Sequence, residues 1–185
     1  TARESVPELG SAANFVFAEV ELRGYWQPWK YVGFAARAHW SMNIKLTADD
    51  PPYTDWITGG GSTDMRGYAS EEMGPFACDG DLREVGDAGC AVGQDVTRDG
   101  GNSKALFSFE TRVFLPYSLG LVLFVDVGQI WTFVERTDFS TLDIAIGPGL
   151  RYYTIVGPIG LDFGFLLTGA NPSDLVFHIN IGQAF

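Results

Sequence analysis

Basic residues are scarce in this chain: 12 Lys and Arg face 23 Asp and Glu over 185 residues, a formal charge of −11 at pH 7. Phosphate recognition needs a basic face, so nucleic acid is excluded as a partner. Histidine is scarcer still, with His39 and His178 far apart and remote from the two cysteines, Cys78 and Cys90. That supply suggests no metal site. No run approaches the ~18 apolar residues of a membrane-spanning helix, although a transmembrane barrel, whose strands are only partly apolar, stays open. Gly-x-Ser-x-Gly elbows, phosphate loops and dinucleotide fingerprints are all missing. No enzyme activity and no cofactor are expected. With 46% hydrophobic and 19% charged residues, a disordered chain is excluded as well. Residues 1–5 carry no basic-then-apolar leader.

What the chain has is glycine (23 residues), aromatics (14%) and alternation. In residues 15–23, Val16, Ala18, Val20 and Leu22 share one face against Phe17, Glu19, Glu21 and Arg23. Residues 31–44 set Phe34, Ala36, Ala38, Trp40 and Met42 against Ala35, Arg37, His39, Ser41 and Asn43. The same period recurs in residues 104–115, 119–131, 143–153, 158–167 and 176–185, seven strands in all. A helix would mix the two sets on every turn, whereas a strand separates them.

The apolar faces hold no charge, and the opposite faces collect Glu, Arg, Asp, His and Gly. That is the profile of a barrel with a lipid-facing wall and a hydrated lumen. Most of the strands run about ten residues or more, near the roughly 9–11 that cross a bilayer at a tilt. Connections at 24–30, 116–118 and 154–157 are tight, while those at 45–103, 132–142 and 168–175 are longer. Trp26, Trp29, Tyr117, Trp131, Tyr152 and Tyr153 lie near strand ends, where interfacial aromatics gather. The expected fold is all-β: an antiparallel transmembrane β-barrel portion of about seven strands. Residues 1–13 form an extension, 14–44 two strands, 45–103 a long extracellular loop and 104–185 five further strands. A soluble β-sandwich binding module would alternate similarly and is the alternative.

The loop holds twelve acids and four bases, hence −8 of the −11. Its acids mostly read as solvated surface, and Asp79, Asp81, Asp95 and Asp99 match no calcium-loop pattern. Cys78 and Cys90 fall in its Gly- and Asp-rich part. A disulfide closing a short surface loop in an oxidising compartment is the better reading, two unrelated thiols the other.

The loop also carries Gly59-Gly60-Gly61-Ser62-Thr63-Asp64-Met65-Arg66-Gly67-Tyr68. Downstream follow Phe109-Glu110-Thr111-Arg112, Phe124-Val125-Asp126-Val127-Gly128-Gln129-Ile130-Trp131, Gly147-Pro148-Gly149-Leu150-Arg151-Tyr152, Gly157-Pro158-Ile159-Gly160-Leu161-Asp162 and a closing strand to Phe185. In order and spacing these segments resemble the BamA/TamA superfamily of outer-membrane assembly and translocation barrels. The resemblance covers residues 59–185.

The resemblance implies that the loop folds into the barrel through Arg66, Gly67 and Tyr68, with Glu110 and Asp126 of the inner wall as acidic partners of Arg66. Without the family the same pairing is chemically coherent, since a lumen arginine needs a carboxylate. The alternative is a solvated Arg66, with those acids satisfied by Arg112 or Arg151. The resemblance further implies a seam strand kinked at Gly182 and an insertion signal ending at Phe185. His178 and His39 read as hydrogen-bonding strand residues. Implied partners are outer-membrane lipid, unfolded outer-membrane protein substrates, periplasmic accessory proteins and the remaining barrel strands, since seven strands leave open edges. An eighth strand within 1–13 or 52–58 would permit a small closed barrel. The competing function is a passive porin or structural barrel.

Overall fold

The structure, a computed structural model, describes residues 2–4, 14–47, 51–78, 81–83, 96–98, 100–169 and 175–182, with backbone alone at 2–4, 81–83 and 96–98. In chain order the strands are β1 (Ala2–Glu4), β2 (Phe15–Trp29), β3 (Val32–Lys45), β4 (Phe76–Cys78), β5 (Asp81–Arg83), β6 (Val96–Arg98), β7 (Ser103–Phe114), β8 (Leu119–Trp131), β9 (Asp143–Thr154), β10 (Gly157–Leu166) and β11 (Leu175–Ile181). Eight of them form one antiparallel sheet in the order β1-β2-β3-β7-β8-β9-β10-β11. Three short strands, ordered β5-β4-β6, make a separate sheet inside the long loop.

The large sheet inverts the usual burial. Val20, Leu22, Phe107, Phe109, Leu121, Leu123, Phe163 and Phe177 are exposed on one face. Arg37, Ser41, Asn43, Ser108, Glu110, Arg112, Asp126, Arg151 and Asp162 are buried on the other. Water would not select that arrangement, because the apolar face gains nothing from it. Hydrocarbon would, and the two faces are those read from the alternation.

Connections β2–β3, β7–β8 and β9–β10 are short and share one end of the sheet, and β3–β7, β8–β9 and β10–β11 are the longer ones at the other. Trp26, Trp29, Tyr117 and Tyr152 are exposed at the short-turn end. Trp131 departs from the expected girdle. It is buried, and its indole N–H donates to Thr141 Oγ1 at 3.0 Å. Tyr153 turns its ring onto Phe114, 5.8 Å between centroids.

Two strand limits differ from expectation by more than one residue. β2 continues to Trp29, six residues past the expected end, because residues 24–26 keep pairing with Phe34–Ala36 and a register irregularity between Trp26 and Trp29 absorbs Pro28, which lacks a ladder N–H. β11 ends at Ile181 because Gly182 turns to φ +105°. The eighth strand lies in the N-terminal extension, where Ala2–Glu4 pairs with Val16–Ala18. Among the described residues these eight strands do not close the sheet: β1 and β11 are its two ends.

Candidate functional site

The loop between β3 and β7 returns to the inner face of the sheet. Positive φ values at Gly60 (+100°) and Gly61 (+99°) start the turn, a conformation costly for residues with a Cβ. The Asp64 carboxylate accepts from the Gly60 N–H at 3.1 Å, and Gly61 N–H donates to the Tyr68 carbonyl at 3.0 Å. This local closure projects Met65, Arg66, Gly67 and Tyr68 inward. Two basic wall residues hold its flank. Arg37 Nη1 donates to the Thr63 carbonyl at 2.6 Å, and Lys104 Nζ lies 3.2 Å from Asp64 Oδ2. Asp64 is thus not one of the loop's solvated acids.

Arg66 sits at the centre, 1% exposed. Its Nε and Nη2 donate to Asp126 Oδ2 and Oδ1, both at 2.8 Å, and its backbone N–H donates to Asp126 Oδ2 at 3.2 Å. Nη1 donates to Glu110 Oε1 at 2.5 Å, while Arg112 Nε donates to Glu110 Oε2 at 2.7 Å. The guanidinium also lies over the Phe124 ring, 3.7 Å from the centroid, where the ring face attracts cations. Burial would lower the Arg66 pKa, but the hydrogen bonds and charge of Asp126, with Glu110 and Asp162 behind it, outweigh burial and raise it. A bidentate fork with every oxygen engaged is the geometry in which buried charge is tolerated.

Strand parity explains why these acids meet the loop. Glu110 on β7 faces Phe124 across the ladder, and Asp126 on β8 stands two residues further along, on the same inner face. Arg112 joins Glu110, whereas Arg151 takes a different acid: its Nη1 and Nη2 bind Asp162 Oδ1 and Oδ2, the latter at 2.9 Å. Asn180 Nδ2 adds a bond to Asp162 Oδ2 at 3.0 Å, and Arg66 Nη1 lies 3.9 Å from the same oxygen. The alternation located these residues on the inner face without revealing that they form one cluster.

Tyr68 reaches across the lumen, its hydroxyl donating to Asp143 Oδ2 at 2.6 Å beside Gln129 Nε2 at 2.8 Å. Met65, Tyr68 and Met73 pack with Leu106, Ile130, Ala145 and Leu166 of the wall into a buried apolar cluster. The lumen beside the loop is therefore a packed core rather than the hydrated channel expected from its polar residues. Close approach depends on glycine. A Cβ on Gly67 would stand 2.6 Å from Ala145 Cβ, and one on Gly164 would overlap the Arg66 carbonyl.

His39 Nε2 is 2.9 Å from Glu19 Oε1, and His178 Nε2 is 3.0 Å from the Arg66 carbonyl oxygen. Gly182 follows β11 with open space where a Cβ would stand, so its φ, not crowding, demands glycine. Phe185 lies outside the described residues. Cys78 is buried on β4, but the expected pairing falls on Cys90, also outside them, as do the side chains of Asp79, Asp81, Asp95 and Asp99.

An apolar wall outside, a charged wall inside and a loop docked within define a portion of a transmembrane β-barrel. The family model described as the Omp85 superfamily domain matches residues 1–185. The chain belongs to the Omp85 superfamily. Among solved structures, that of BamA from Haemophilus ducreyi lacking POTRA domains 1–3 matches over 95% of this chain with a TM-score of 0.73 at 15% identity. This chain spans 36% of that one. The likeness is one of fold.

Proposed function

We propose that the chain is the part of an outer-membrane assembly or translocation barrel that carries the docking loop and the seam. The observation carrying this reading is Arg66, buried and forked onto Asp126 while also bonded to Glu110. A passive pore gains nothing from filling its lumen with a loop pinned by an ion cluster. A barrel that must hold a defined shape while its seam opens does. On this reading Arg66, Gly67 and Tyr68 dock the loop, Gly182 lets the seam strand bend, and Phe185 belongs to the signal recognised for insertion. Its partners are outer-membrane lipid, unfolded outer-membrane proteins, periplasmic accessory proteins and the strands that complete the ring. It performs no covalent chemistry and needs no cofactor.

The test is Arg66→Ala in the parent protein, with client insertion or secretion and loop proteolysis measured together. We expect faster cleavage within the loop and reduced assembly. A variant with wild-type cleavage and wild-type assembly would defeat the reading and favour a passive barrel.

A further inference from the structure

β11 is an end strand, and β10 is its one strand neighbour among the described residues. Its outward residues Phe177, Ile179 and Ile181 are 65–80% exposed, so among the described residues they hold it to nothing beyond β10. Its inward residues do. His178 lies opposite Asp162 in the β10–β11 register, and its Nε2 is 3.0 Å from the Arg66 carbonyl oxygen. A carbonyl oxygen only accepts, so this nitrogen bears the hydrogen and donates.

Arg66 therefore faces two ways. Its side chain engages Asp126 on β8 and Glu110 on β7, and its carbonyl engages the end strand. Gly164 on β10 makes this possible, since a Cβ there would occupy the place of that carbonyl. Asn180, two residues beyond His178, reaches the same cluster through Asp162. The end strand thus has a cross-lumen tie to the loop besides its ladder.

We propose that His178 is a positioning residue that couples loop docking to the order of β11: docking the loop anchors the strand, and withdrawing it releases one side. The coupling is reciprocal by thermodynamic necessity, so displacing β11 loosens the loop. Its geometry stands by itself, whereas its use in opening a seam for clients rests on the function proposed above.

The experiment uses the parent protein, folded in detergent or membrane, with hydrogen exchange read on β11 amides and proteolysis read on residues 59–68. His178→Leu removes the donor and His178→Gln keeps an N–H. We expect the Leu variant to raise β11 exchange about tenfold, the scale of one buried hydrogen bond, and to speed loop cleavage, with the Gln variant restoring most of both. Wild-type β11 exchange in the Leu variant, or equal disruption by Gln, would overturn the proposal. If the Leu variant does not fold, Gly164→Ala displaces the same carbonyl. Faster loop cleavage with unchanged β11 exchange there would overturn it equally. Arg66→Ala separates the two ideas: raised β11 exchange with full assembly defeats the assembly role and leaves the coupling standing.

Discussion

A buried guanidinium is tolerated only when its donors are met, and Arg66 meets them with two carboxylates and an aromatic face. The neighbouring residues bring it there. Gly67 passes so close to Ala145 that an added methyl must displace the loop or the wall. Gly67→Ala is expected to cost about 1–3 kcal/mol, the range for overpacking, and to speed loop cleavage by protease. Tyr68→Phe keeps the ring in its apolar cluster and removes the hydroxyl that bonds Asp143. A loss of about 1.5–3 kcal/mol, typical of a hydrogen bond to a charged group, should appear in denaturant unfolding. The two variants separate space from polarity at adjacent positions.

At the scale of the strands, parity decides what each side chain meets. Leu123 on β8 is 61% exposed on the outer wall, while its neighbour Val122 is buried inside. Leu123→Arg is expected to destabilise the barrel in a bilayer by about 2–4 kcal/mol if the site lies near the midplane. Unfolding measured in lipid rather than in detergent reads the effect. Parity is also what made the sequence legible: period two separated Glu110 and Asp126 from Phe109 and Val125 with no knowledge of partners. Register was not legible. Arg151 meets Asp162 because Gly160 stands opposite Arg151 on the adjacent strand, an alignment that alternation leaves free. Tyr68 and Asp143 lie 75 residues apart, and only the path of the loop joins them. Strands β4 to β6 escaped because three-residue strands are too short to show a period. Trp131 escaped because a strand end can turn its side chain inward when a neighbouring loop offers Thr141.

Across the whole molecule, three arginines (Arg66, Arg112, Arg151) balance three carboxylates (Glu110, Asp126, Asp162) in one buried cluster contributed by the loop and strands β7 to β10. Removing one charge leaves its opposite stranded in a buried site. Asp162→Asn is expected to cost about 3–5 kcal/mol, as for other broken buried pairs. Asp138→Asn on the exposed β8–β9 loop should leave unfolding unchanged in the same assay. The docked loop also fixes a minimum girth. Eight strands spaced about 4.8 Å apart give roughly 38 Å of wall measured across the strands, and an eight-stranded ring is just wide enough inside for its own side chains or one small ligand. Here the interior must also hold a stretch of backbone with Met65, Arg66 and Tyr68 upon it. The curvature of the wall is therefore set from within, and the loop is the mandrel over which these strands bend.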